Sequence, residues 1–156
     1  MPRRVGPDAI SRSHALKGWT LPNPAENRWL QANTRSVSQV ARILIVDDEP
    51  DIRFMMRLIL EGAGYQVTEA RHGIAGLKSV KARRPVLVIT DVMMPTMDGL
   101  ELIERLRSDP KTAAIPILVV SGNSDLATAA DARLRKPFTR RELLHAAALL
   151  IREDGG

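Results

Sequence analysis

The chain of 156 residues contains no cysteine, which excludes disulfides and thiolate metal centres and fits a reducing compartment. Aromatic residues amount to only 3%, so any core must be built from Leu, Ile, Val, Met and Ala. No apolar run approaches the roughly 20 residues needed to span a membrane. The N-terminus is basic but lacks the apolar stretch of a secretory signal, and a cytoplasmic location is expected. What is present, 44% hydrophobic and 26% charged residues, is an ordinary globular mixture. The length suits one domain able to bury a core without staples.

The formal charge of +5 is unevenly spread. Residues 1–40 carry six basic side chains against two acidic ones, whereas the remainder carries 17 against 16. The same 40 residues hold breakers at Pro2, Gly6, Pro7, Gly18, Pro22 and Pro24 and show no sustained period. A disordered, basic extension is expected there, with room for one short helix. Asn23 would cap it, Pro24 would open it, Glu26 would close a capping box, and Trp29 and Leu30 would be its apolar contacts.

From Ala41 the pattern changes. Ile43-Leu44-Ile45-Val46 is a continuous apolar run ending in Asp47-Asp48-Glu49, and such runs belong to strands buried on both faces. Pro50 opens a helix whose Ile52, Met55, Met56, Ile59 and Leu60 share one face, and Gly62 and Gly64 stop it. Residues 65–70 alternate like a strand open to water on one side. Ile74, Leu77 and Val80 mark a second helix, and Val86 to Thr90 a buried strand that ends in Asp91. Gly99 to Arg107 reads as a third helix with Leu100, Ile103 and Leu106 toward the sheet. Ile117 to Val120 is the next buried strand, ending in Ser121. A last strand is expected at about 132–135, before Lys136-Pro137-Phe138. Thr139 then caps a final helix, with Glu142 completing the capping box and Leu143, Leu144, Ala147, Leu150 and Ile151 lining one face. This alternation predicts an α/β domain over residues 41–153, with a doubly wound, five-stranded parallel sheet and a tail at 154–156.

Parallel strands all end at one edge, where ligands bind in open α/β sheets. Here that edge receives Asp47, Asp48 and Glu49, then Asp91, Ser121 and Lys136. Strands about 4.8 Å apart bring such groups within a few ångströms. Carboxylates that close repel one another, and a divalent cation relieves the repulsion. Hard oxygen ligands, without His at these positions, point to Mg²⁺ or Mn²⁺ rather than Zn²⁺. The Ser121 hydroxyl and the Lys136 ammonium are groups that a bound phosphoryl would require, and an Asp can itself be the nucleophile. Singly, each residue reads as solvated surface or as helix N-terminal charge; it is their convergence from four strand ends that marks a site. Met93, Met94 and Met97 read as adaptable packing. His14, His72 and His145 show no ligand spacing and receive no role.

The run Ile43 to Pro50 strongly resembles the opening of a response-regulator receiver domain. So do Asp91-Val92-Met93-Met94-Pro95-Thr96-Met97-Asp98-Gly99, Val120-Ser121-Gly122 and Lys136-Pro137-Phe138. The resemblance implies a flavodoxin-like strand order 2-1-3-4-5 and a function in two-component or phosphorelay signalling. It implies that Asp91 accepts phosphate from a phosphohistidine on a sensor histidine kinase or a histidine phosphotransfer protein. Asp48 would be a direct Mg²⁺ ligand and Asp47 a second acid acting largely through water. Asp91 and the Met93 backbone carbonyl would complete the metal set. Ser121 and Lys136 would bind phosphoryl oxygens, Pro137 would form a cis peptide, and the small Gly122 would leave the site open.

Two features depart from the receiver pattern. Only ten residues, Gly122 to Asp131, separate the last two strands, near the lower limit for a parallel crossover, so the fourth helix is expected to be very short or absent. The aromatic residue usually found three positions before the lysine is Arg133 here. Phosphorylation chemistry is expected to be intact and the usual readout altered. Since the chain ends at Gly156 just after its last helix, a stand-alone receiver is expected. It would work through contacts with a downstream protein, through a homodimer, or as a phosphate shuttle or sink, with self-phosphorylation and slow self-dephosphorylation in place of enzymatic turnover. One subordinate alternative is a DNA-binding regulator using the basic arm, though no recognition helix accompanies it. The other is a haloacid-dehalogenase-like phosphatase, whose D-x-D motif at the first strand the adjacent Asp47-Asp48 does not match.

Overall fold

Strand β1 (Arg42–Val46) is the first apolar run, and four of its five residues are buried. The computed structural model describes residues 40–155; residues 1–39, with the short helix expected near Pro24, lie outside them. After β1 come α1 (Pro50–Gly62), β2 (Gln66–Ala70), α2 (Gly73–Ala82), β3 (Leu87–Thr90), α3 (Gly99–Ser108) and β4 (Ile117–Ser121). A single 3-10 turn (Ser124–Leu126), β5 (Ala132–Arg135) and α4 (Arg140–Gly155) complete the order. The last helix therefore takes in residues 154 and 155, which the sequence pattern assigned to a tail.

The five strands are parallel and ordered β2-β1-β3-β4-β5, the expected flavodoxin-like order. Each face of the sheet is covered separately. On one face Ile43, Ile45, Leu87, Ile89, Leu118 and Val120 meet Met56 and Leu60 of α1 and Leu143, Ala147 and Leu150 of α4. On the other, Leu44, Val46, Val88, Ile117 and Val119 meet Val80 of α2 and Leu102, Ile103 and Leu106 of α3. Each such side chain taken fully out of water contributes about 1.5–3 kcal/mol, which is why the uninterrupted apolar runs settle in the middle of the sheet.

The capping signals expected at Pro50 and at Thr139 with Glu142 hold, and Asp98 adds a cap that the sequence pattern did not mark. Pro50 occupies the start of α1. The Asp98 carboxylate accepts from the Glu101 amide at 2.9 Å at the start of α3. Thr139 and Glu142 exchange reciprocal bonds at 3.1 and 2.8 Å before α4, a complete capping box. Two apolar assignments shift. In α3 it is Leu102, with Ile103 and Leu106, that is fully buried, while Leu100 is only partly covered. In α1, Met55 stays 39% exposed.

The compressed crossover leaves Leu100 at an open groove, whereas Leu102 packs beside α2. Between β4 and β5 the chain makes one 3-10 turn and no α-helix; from this stretch Ala127 enters the core, at 1% exposure, and Ala130 packs against it. A groove of about 400 Å³ stays open between α3 and the crossover, lined in part by Leu100, Ile103 and Leu126. Strand β5 alternates accordingly. Ala132 and Leu134 pack toward α4, whereas Arg133 and Arg135 are exposed on the face that lacks a helix.

Arg107 does part of the missing helix's work. From the last turn of α3 its guanidinium donates to the carbonyls of Ala113 and Ile115 at 2.9 and 2.8 Å and to the Asp131 carboxylate at 2.6 Å. The same Asp131 oxygen accepts from the Ile117 amide at 2.7 Å. One side chain thus ties α3 to the starts of both β4 and β5.

Candidate functional site

The acidic and basic residues singled out in the sequence sit just past the strand ends, pinned there by continuing ladder bonds. The Asp47 amide donates to Ala70 O at 3.1 Å, the Asp91 amide to Val46 O at 3.0 Å, and the Lys136 amide to Ser121 O at 3.1 Å. Rigid strands, rather than flexible loops, therefore set the spacing of these side chains. Asp47, Asp91 and Ser121 are buried, with exposures of 0%, 6% and 2%, and Asp48 is exposed.

The carboxylates converge as expected: oxygens of Asp47, Asp48 and Asp91 all lie within 4.8 Å of one another. Asp47 Oδ1 accepts from the Glu49 amide at 2.9 Å and Asp91 Oδ1 from the Val92 amide at 2.6 Å. Their Oδ2 atoms both accept from Lys136 Nζ, each at 3.1 Å. Glu49 reaches the same ammonium at 3.5 Å. The Lys136–Pro137 peptide bond is cis.

Electrostatics follow from this packing. Burial raises the Asp47 carboxyl above its ordinary value, only partly offset by the Glu49 amide and by Lys136, with the Asp91 charge adding to the rise. For Lys136, burial alone would lower the ammonium's pKa, but the bonds and charges of Asp47 and Asp91 outweigh it and raise it. A hard, all-oxygen donor set with one exposed carboxylate and two buried ones fits a divalent cation of the Mg²⁺ class, which prefers one or two carboxylates plus water and phosphate oxygens.

Ser121 stands at the end of β4, where its Oγ accepts from the Asn123 amide at 3.2 Å. Gly122 faces open space, with nothing within 4 Å of where a Cβ would stand. Met93 follows Asp91 by two residues, and its side chain is 66% exposed.

Sequence reasoning missed several supports. Arg53 of α1 donates to the Asp47 carbonyl at 2.7 Å while its Nε holds Glu69 of β2 at 3.1 Å. Arg53 lies outside the apolar stripe, so periodicity gives it no signal. Gly99 is required because a Cβ there would overlap the Asp91 carbonyl oxygen and stand 2.9 Å from Val92 Cα. His72, given no role from its spacing, caps α2 by accepting from the Ala75 amide at 3.1 Å.

Residues 43–148 match the family model described as the response regulator receiver domain. The DNA-binding dual master transcriptional regulator RpaA of Synechocystis sp. is 39% identical over 121 residues, covering 72% of this chain and 50% of that protein. The chain thus spans about half the length of the curated relatives it matches. Among solved structures, a response regulator receiver domain protein (CheY-like) of Methanospirillum hungatei superposes with a TM-score of 0.70 at 30% identity, covering 75% of this chain and 98% of that one. The response regulator TrrA of Thermotoga maritima, solved in complex with Mg²⁺–BeF, superposes with a TM-score of 0.65 at 34% identity, covering 71% and 99%. With the expected strand order and the acidic edge both in place, the chain belongs to the response regulator receiver domain family of two-component signalling.

Proposed function

We propose that this receiver takes up a phosphoryl group on Asp91 and holds it as a signal. The observation that carries the reading is the Lys136 ammonium, 3.1 Å from both the Asp47 and the Asp91 carboxylates. An ammonium so placed is a ready partner for the charge that a phosphoryl group adds to Asp91. In the transfer, an Asp91 carboxylate oxygen attacks the phosphorus of a phosphohistidine donor. The O–P bond forms, the N–P bond breaks, and the imidazole leaves with the electron pair and takes up a proton. Lys136 then pairs with one phosphoryl oxygen and the Ser121 hydroxyl donates to another, while the open space at Gly122 admits the donor.

Asp48 is proposed as the direct ligand of a Mg²⁺ ion, Asp47 as an acid acting largely through water, and Asp91 and the Met93 carbonyl as the remaining protein ligands. A bound Mg²⁺ supplies neutralisation of the carboxylates and of the transferring phosphoryl oxygens; Mn²⁺ shares its donor preference. The complex of the Thermotoga relative with Mg²⁺–BeF supports this assignment. The donor is a sensor histidine kinase or a histidine phosphotransfer protein, and the domain acts as a carrier with slow self-dephosphorylation. A cytoplasmic setting suits it, and among the described residues no helix is long and apolar enough to cross a membrane. The DNA-binding role in the name of the Synechocystis regulator belongs to a protein about twice the length of the match, and among the described residues nothing favours it here.

The test is incubation with acetyl phosphate and Mg²⁺, read by intact mass. The wild type should gain one phosphoryl group and Asp91→Asn none; a wild type that gains none, or a variant that gains it equally, overturns the reading.

A further inference from the structure

The opposite end of the sheet carries a second charged feature that phosphoryl transfer does not use. Lys78 and Lys81 of α2, Arg83 and Arg84 in the turn before β3, and Lys111 in the loop after α3 gather five cations where the strands begin. The residues after position 40 carry almost no net charge, so these cations are a local feature of this end of the sheet. Among the described residues none of the five forms an ion pair with a carboxylate.

Three of the cations surround one cavity. Lys81, Arg84 and Lys111 line about 490 Å³ together with Val80, Asp109 and Thr112, a volume in the range of small-molecule sites. Its walls are joined by a bond from Arg84 Nη1 to the Lys111 carbonyl at 2.9 Å. The one carboxylate in the lining, Asp109, is engaged by the Lys111 amide at 2.9 Å. Helix-end electrostatics account for Lys81 and Arg83, which sit at the C-terminus of α2. They do not account for Lys111, which comes from the loop after α3 and faces the same space.

We propose that this cavity is an anion site for a small ligand bearing a pyrophosphate group, held by Lys81, Arg84 and Lys111. Three positive charges, from the end of α2 and from the loop after α3, around one partly open cavity match a compact polyanion. A nucleic-acid backbone would instead call for cations strung along an open stripe. Arg84 offers a planar fork to two phosphate oxygens, and the two lysines act as point charges beside it. The site lies across the length of the strands from Asp91, so its occupancy is separable from phosphorylation.

The full chain is titrated with inorganic pyrophosphate by calorimetry, without Mg²⁺ and at low salt, where exposed charges are least screened. Binding should weaken at least about tenfold in Lys81→Gln/Arg84→Gln/Lys111→Gln, with phosphate uptake on Asp91 unchanged. Lys81→Gln/Lys111→Gln, which keeps the Arg84 bond, should show a smaller loss in the same direction. Arg133→Gln/Arg135→Gln removes two charges from another face and should bind as wild type. Absence of pyrophosphate binding, binding unchanged in the triple variant, or equal loss in the Arg133/Arg135 variant overturns the proposal. So does binding confined to a DNA duplex with steep salt dependence.

Discussion

Lys136 Nζ lies 3.1 Å from Asp91 Oδ2, although 45 residues separate the two in sequence. The contact exists because β3 and β5 run parallel on either side of β4 and deliver both residues to the same edge. It sets two buried carboxylates against one ammonium, and much of the domain's sensitivity to substitution follows from that balance.

Removing the ammonium should therefore be costly. Lys136→Ala leaves Asp47 and Asp91 facing each other, at side-chain exposures of 0% and 8%, and should destabilise the metal-free protein by about 2 kcal/mol. The Lys136 pKa is raised, so its contribution is full below the ordinary value of 10.5 and is lost only as pH rises through the raised value. Urea unfolding at neutral pH measures the loss, and added Mg²⁺ should narrow it.

Asp47→Asn should act in the opposite sense. Burial raises the Asp47 pKa, so folding favours the neutral form more than the unfolded chain does. The stability that Asp47 contributes is full below 3.8 and declines as pH rises through its raised folded value. In metal-free protein the Asn variant should match the wild type in acid and become the more stable of the two toward neutral pH. Unfolding curves at a series of pH values check this, and a variant less stable at pH 7 would contradict it.

Two glycines near the site should respond differently to alanine. At Gly99 a Cβ meets the Asp91 and Val92 backbone, which no side-chain rotation can relieve, so Gly99→Ala should cost about 2–3 kcal/mol and slow phosphate uptake. At Gly122 the space is open, and Gly122→Ala should change stability by no more than about 0.5 kcal/mol. Thermal unfolding of the pair separates the cases.

Arg107→Ala should loosen the crossover. Its bonds to Asp131, Ala113 and Ile115 are charge-assisted, and their loss should cost about 2 kcal/mol. Arg107→Lys should not restore it, because a single ammonium cannot serve carbonyls and a carboxylate in three directions. Faster hydrogen exchange of the Ile117 amide, which shares Asp131, is the specific readout.

Phosphorylation should move Ser121 and the crossover without an aromatic rotamer change. Arg133 stands where the family usually has an aromatic, and its guanidinium donates to the Asp125 carbonyl at 3.3 Å in the 3-10 turn. Arg135 holds the Asp125 carboxylate at 3.0 Å. Backbone chemical-shift changes on binding a phosphoryl mimic should concentrate between Ser121 and Asp131; an unmoved crossover would sink the idea.

The sequence by itself determined the strands, the sheet class and the chemistry of the edge. Runs such as Ile43–Val46 and Ile117–Val120 have one favourable place, the doubly covered centre of a parallel sheet, and the residues that follow them must emerge together. That is why Asp47, Asp91, Ser121 and Lys136 could be named from spacing. The ten-residue crossover likewise announced that the fourth helix would be very short or absent.

Only the tertiary structure decided what depends on neighbours distant in the chain. Leu100 and Leu102 fit the helical stripe almost equally well, and packing against α2 buries Leu102 while Leu100 borders the open groove by the crossover. Arg53, Arg107 and His72 read as ordinary surface residues until folding brings a carbonyl, a carboxylate or an amide to each. The balance at Asp91 is of the same kind. Its partner Lys136 was legible as a strand-end cation, but the sharing of one ammonium by two buried carboxylates arises only when three strands are laid side by side.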